Sequence, residues 1–298
     1  MENKQELMLD ETELKEFGEK LLSIIKEFVP YLEKSIESYS NYSNNPFDYM
    51  ESLANRPKIK IASKPVLISN TPNPDDVIIK SSIMYHFQCS EQEAKQIMEE
   101  SEKIDPEYKA KSMNIILHKE ERRELEQVSF TFQIPISLSI LTHLTRHRMH
   151  SLLIPEFTPL WDFNNFIIPA TIQAKSELKN IFINAQKENM KIFEEFKNSN
   201  VSDEDLIYFY LGCQMLNVVT TMNGRTLQWI LHLRCCNKAQ WQIRNIAKEL
   251  AKQVSSVAPL LGKGLGPTCM TDLVCYEGKE CCGLINSLLE NRTVEKIK

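Results

Sequence analysis

The chain has 298 residues, 42% hydrophobic and 25% charged, enough to bury a real core in one large domain or two small ones. A net charge of −5 excludes a basic field over the whole surface, and with it bulk nucleic-acid binding, but leaves room for a local basic pocket. The eight glycines offer little material for a phosphate loop. No run reaches about 18 apolar residues, and the acidic N-terminus lacks an export layout, so no membrane role and a cytoplasmic location are expected. In that setting the eight cysteines are expected as free thiols.

In chain order, residues 1–60 read as a separate N-terminal helical extension. Leu14, Phe17, Leu21, Ile24 and Phe28 recur at helical spacing, Pro30 ends the run, and Ser38 to Pro46 has linker composition. Val66 to Ser69 is a short strand. Asn70-Thr71-Pro72-Asn73-Pro74 is turn chemistry leading into a helix. Ser90 with Glu93 three residues on makes a capping box for a second helix to about Glu102. Val128 to Ile134 reads as a strand, and Pro135 as the first residue of a helix to about Met149. On that helix His143, Arg146, His147 and His150 would share one face, a row of cations that calls for an anion. Ser202-Asp203-Glu204-Asp205 opens a further helix whose apolar face is Leu211, Met215, Val218 and Met222. Gly224 should interrupt it, Asn223 should cap a new start, and Arg225 then lies in a first turn, where a cation is unfavourable unless an anion compensates it. Asn237 is expected to cap a last helix to about Val254.

Several of these segments together resemble one family. Arg146-His147-Arg148, then Asn223-Gly224-Arg225, Leu233-Arg234 and Ala239-Gln240-Trp241-Gln242-Ile243 resemble the motifs of the flavin-dependent thymidylate synthases (the ThyX family). Val66-Leu67-Ile68-Ser69 with Thr71-Pro72-Asn73-Pro74, and Phe130-Thr131-Phe132, resemble its first strand and turn and the strand before the Arg-His-Arg motif. The resemblance spans roughly residues 65–265. It implies an α+β fold with a central sheet flanked by helices, here with the added N-terminal arm. The organisation expected is an extension over 1–60, a flavin-binding domain over 61–260, and a Cys-containing tail over 261–298.

The resemblance also implies chemistry: methylation of a pyrimidine at C5, with FAD as cofactor, NADPH as reductant, methylenetetrahydrofolate as carbon donor, and a homotetramer as the assembly. By position, Arg146, His147, Arg148, Asn223, Arg225 and Lys238 would bind the flavin, Lys238 standing where the family has a His. His143, Arg146, Glu156 and Arg234 would bind the nucleotide, and Arg234 would stabilise charge developing on the pyrimidine. After the Arg-His-Arg motif the family's Asn-Glu and Ser-x-Arg-Tyr pieces are replaced by Leu152-Leu153-Ile154-Pro155-Glu156-Phe157. A later family Arg is replaced near Ile207, and a His-rich stretch reads Lys119-Glu120-Glu121-Arg122-Arg123. These departures imply a rebuilt nucleotide half and a substrate other than dUMP, a pyrimidine nucleotide or nucleoside. The rival expectation is a non-catalytic flavin- or nucleotide-binding paralogue acting as a sensor or assembly partner.

No metal is expected. Cys269, Cys275, Cys281 and Cys282 do not match Cys-x-x-Cys zinc spacing, and free thiols in a C-terminal cap are the default. Gly262-Lys263-Gly264-Leu265-Gly266-Pro267 lacks the layout of a P-loop and reads as a mobile loop.

Overall fold

A computed structural model describes residues 11–29, 59–155, 163–199 and 201–289. The chain divides into two units, Met1–Lys58 and Ile59–Lys298. In the first, helix α1 (Glu11–Phe28) carries Phe17, Leu21, Ile24 and Phe28 as an exposed apolar stripe. The linker expected over Ser38 to Pro46 lies outside the described residues.

The second unit is an α+β fold around a four-stranded antiparallel sheet of order β1-β2-β4-β3. Strand β1 (Val66–Asn70) leads through Asn73, in the left-handed region at φ 45°, into α2 (Pro74–Phe87). Helix α3 (Glu91–Ile104) starts with the expected capping box between Ser90 and Glu93. After α4 (Tyr108–His118) and a 3-10 turn (Arg123–Gln127) the chain enters β2 (Ser129–Ser137), then the short α5 (Leu138–Leu144) and the edge strand β3 (Ser151–Leu153). The long α6 (Ser176–Lys197) precedes β4 (Met215–Asn223), α7 (Gly224–Arg234) and α8 (Trp241–Val257).

Five sequence expectations are corrected here. Pro135 lies inside β2, opposite Asn217, and does not open a helix. Pairing with β1 ends at Gln133, so at Pro135 the strand has a neighbour on one side only, and a missing N–H is tolerated at such an edge. The helix that follows ends at Leu144, so Arg146-His147-Arg148 sit in the turn before β3 and not on a helical stripe.

Residues 215–223 form a strand, not a helix, and the helix at Asp203–Leu206 lasts one turn. Val218 and Met222 are four apart, which satisfies strand and helix periods alike; the β-branched run Val218-Val219-Thr220-Thr221 decides for the strand. Gln240, not Asn237, caps α8, accepting from the N–H groups of Gln242 and Ile243. Finally, the glycine loop is packed. Asp75 carboxylate oxygens accept from the N–H groups of Leu260 and Leu261 at 2.8 and 2.9 Å. Gly264, Leu265 and Gly266 are buried, and a Cβ on Gly264 would meet Leu117 at 2.5 Å.

The main core lies on one face of the sheet. Phe130, Phe132, Ile134 and Ile136 of β2 are fully buried together with Val218 of β4. Ile78 and Ile79 of α2, Leu227 and Leu231 of α7, and Ile243 and Leu250 of α8 close over them. Each of these side chains contributes about 1.5–3 kcal/mol on leaving water. A second, aromatic cluster joins Phe163, Phe193 and Tyr210, with the rings of Phe163 and Phe193 4.6 Å apart.

Candidate functional site

The site lies where β4 passes into α7. Asn223 is in extended conformation and its Oδ1 accepts from the Thr226 N–H at 2.8 Å, so it caps α7 as the sequence suggests. Gly224 starts the helix because nothing larger fits: a Cβ there would stand 2.7 Å from the Leu125 carbonyl oxygen. The first-turn N–H groups of Gly224 and Thr226 are already taken, by the Val128 carbonyl at 3.0 Å and the Asn223 side chain at 2.8 Å.

The Arg-His-Arg turn is held against this point. β3 pairs with β4, Ser151 opposite Thr221, which brings residues 146–150 alongside the end of β4. The Thr226 hydroxyl donates to the Met149 carbonyl at 3.3 Å, and His150 Nδ1 contacts Thr220 Oγ1 at 2.6 Å. The Thr220 hydroxyl donates its proton to the Ser151 carbonyl at 2.8 Å, so His150 Nδ1–H is the donor in that contact.

At the far end of α7, about three turns on, Arg234 meets the other side of the same turn. Its Nε donates to His147 Nε2 at 3.0 Å, and an Nη donates to the His143 carbonyl at 3.4 Å. His147 must then hold its proton on Nδ1 and be neutral. Burial, reinforced by the Arg234 charge, lowers its pKa to about 4. Burial, followed by the charges of Arg234 and Arg146, also depresses His143. Arg146 is near enough to act on Arg234 electrostatically, and Arg146 and Arg148 are both exposed. Among the described residues none of Arg146, Arg148 and Arg234 is paired with a carboxylate, whereas Arg225 is, to Glu126 at 2.5 Å. The result is a cation-rich surface around a neutral His147, with charge to offer an anion.

The structure thus brings His143, Arg146 and His147 to Arg234 at the end of α7, and Met149, just after Arg148, to the first turn of α7 that Asn223 caps. Arg225 stands at the rim with Glu126, both partners more than a third exposed, a pair worth no more than about 1 kcal/mol and readily exchanged for a ligand anion. Lys238 points elsewhere, to Glu280 of the C-terminal segment at 3.1 Å. Glu156 lies outside the described residues. The sequence singles out His150 but not Thr226 and Thr220, the residues that with it lock the two motifs together. Their role depends on the β3–β4 pairing, and a three-residue strand leaves too short a pattern to read.

Residues 66–260 match the family described as Thymidylate synthase complementing protein. A flavin-dependent thymidylate synthase of Clostridium tetani is 32% identical over 237 residues, 73% of this chain and 92% of that protein. One of Geobacter sulfurreducens is 28% identical over 224 residues, 74% and 94% of the two chains. Among solved structures, the UMP/dUMP methylase PolB of Streptomyces cacaoi, bound with 5-Br dUMP, shares the fold with a TM-score of 0.55 at 14% identity, over 69% of this chain and 96% of that one.

Proposed function

The chain belongs to the thymidylate synthase complementing protein family, that of the flavin-dependent thymidylate synthases, and from this we propose that it is an FAD-dependent methyltransferase acting at C5 of a pyrimidine nucleotide or nucleoside. The observation that carries the reading is Arg234, fixed by His147 and His143 beside Arg146 and left without a carboxylate.

The residues present suit FAD. A diphosphate needs cations, and the site offers Arg146 and Arg148, with Arg225 in the first turn of α7 available on exchange from Glu126. Bound FAD would supply the redox step, with reducing equivalents from NADPH and the carbon from methylenetetrahydrofolate. The chain's own groups orient and hold charge. Neutral His147 accepts from Arg234 Nε and the His143 carbonyl from one Nη, which fixes the guanidinium and leaves its other N–H groups for a ligand. Those donors would meet the pyrimidine carbonyl and stabilise negative charge developing there as C5 reacts. Arg146 would bridge flavin and nucleotide.

The nucleotide half sets the substrate. Leu152-Leu153-Ile154-Pro155 replaces the polar stretch expected there by family resemblance, and Leu153 and Ile154 are exposed. Apolar exposed groups are poor phosphate ligands, which favours a substrate other than dUMP. The same replacement favours the second reading, a flavin-binding paralogue without turnover. Incubating the FAD-loaded protein with NADPH, methylenetetrahydrofolate and, in turn, dUMP, UMP and deoxyuridine separates them. C5-methylated product from one pyrimidine is expected. Flavin binding with no product from any would support the paralogue, and absence of bound flavin would overturn both.

A homotetramer is the assembly proposed. Trp229 and Leu233, 62% and 43% exposed, follow Arg225 along one line of α7 at four-residue spacing. Such a stripe beside a ligand site is suited to burial by a second copy.

A further inference from the structure

Six cysteines line one cavity of about 500 Å³: Cys235 and Cys236, just past the end of α7, and Cys269, Cys275, Cys281 and Cys282 of the C-terminal segment. Cys235 belongs to the main core, and the other five carry the argument. Cys269 faces Cys282, Cys236 and Cys275, and Cys275 is close enough to Cys281 for a thiol–thiol hydrogen bond. All are free thiols. Linear spacing hid this group because Cys236 comes from thirty-odd residues upstream and is carried in by the packing of the Gly264 loop against α7, where the Gly264 carbonyl accepts from Gln228 and His232.

The backbone around these sulfurs follows one rule. The Lys238 N–H donates to Cys236 Sγ at 3.5 Å, and the Gly283 N–H to Cys281 Sγ at 3.4 Å. Cys275 receives the Glu277 backbone N–H and Cys282 that of Leu284. In all four the donor lies two residues after the cysteine. A neutral thiol gains little from such a bond, whereas a thiolate gains a charge-assisted one. Four repeated knuckles of this kind are the backbone geometry that holds sulfur ligands of a metal and tunes them. Four thiolates on a divalent ion leave about −2; Lys248 and Lys263 line the same cavity as cations, beside Lys238, which is paired with Glu280, and Glu277, whose carboxylate accepts from the Cys236 thiol at 3.7 Å.

We propose that Cys236, Cys269, Cys275 and the Cys281–Cys282 pair form a thiolate site for a soft metal centre, a zinc ion or an iron–sulfur cluster, that clamps the C-terminal segment to the end of α7. As the side chains stand, no three metal-ligating groups among the described residues meet closely enough to hold one ion; the sulfurs ring the cavity instead. A cubane cluster spreads its ligands more widely than a single ion, and a small inward shift of the loops would carry each sulfur together with its backbone N–H donor. Each ligating thiol releases its proton on binding, so uptake is accompanied by acid release.

The test uses the full chain without a metal-binding tag, purified without oxygen, with zinc, iron and acid-labile sulfide measured per chain. Near-stoichiometric zinc identifies the ion; iron with matching sulfide identifies the cluster. Cys275→Ser and Cys236→Ser are expected to lose the metal and Cys89→Ser, outside the ring, to keep it. If the first two variants do not fold, cobalt added to wild-type protein stripped of metal decides, through thiolate-to-cobalt charge transfer and tetrahedral bands in the red, beyond flavin absorbance. No metal on purification together with no cobalt–thiolate bands, or full metal content in both folded variants, overturns the site.

Discussion

His147 and Arg234 act as one unit, the imidazole accepting the guanidinium Nε–H at 3.0 Å. Protonating His147 removes that acceptor and sets two cations against each other. The folded-state pKa, about 4, lies below the ordinary 6.5. Between these values the unfolded chain binds more protons than the folded one, so stability is fully present above about pH 6.5 and declines as pH falls toward 4. Discounted for a ring half in contact with water, the loss is about 1–2 kcal/mol. Thermal unfolding across pH 4–7 should therefore show a fall in Tm that shrinks in His147→Phe; an unchanged slope would mean that other groups govern it. At Arg234 the substitution to Lys keeps the charge but loses the Nε bond to His147 and the planar fork. We expect turnover to fall about 100-fold or more with flavin content retained, measured as kcat and absorbance of the bound cofactor. Equal loss of flavin and rate would instead make Arg234 a cofactor ligand.

The junction of β4 and α7 shows how much an element can be read in advance. Asn223 as cap and Arg225 in the first turn were legible, because capping is local chemistry in three consecutive residues. That the preceding nine residues form a strand was not legible, since Val218 and Met222 fit both periods and tertiary pairing with β2 decides between them. The same holds for Pro135, whose place in β2 depends on where β1 stops. Gly224 is the tightest point of the junction. Gly224→Ala, favourable in most helices, should destabilise here by about 1–3 kcal/mol, because the new Cβ meets a backbone oxygen that cannot rotate away. Urea unfolding measures this. Asn223→Ala should cost about 1 kcal/mol and weaken FAD binding alongside; stability lost with FAD affinity intact would separate the cap from the ligand site.

At the scale of the whole molecule, the single chain leaves the Trp229–Leu233 line of α7 uncovered. Trp229→Asp should shift the assembly toward smaller species by mass photometry, without unfolding the monomer, since the side chain is outside its core; an unchanged tetramer would place the interface elsewhere. The amino-acid sequence by itself determined the class of the fold, the two motifs that carry the cations, and the caps and turns that start α2, α3 and α7. These rest on contacts between residues a few positions apart, or on family motifs preserved as short words. Only the tertiary structure decided that Arg146-His147-Arg148 is a turn, that the glycine loop is packed, that Lys238 faces Glu280, and that Cys236 joins the C-terminal cysteines. Each of those outcomes depends on partners about thirty or more residues away, and a chain's local pattern carries no record of which distant surface will cover it.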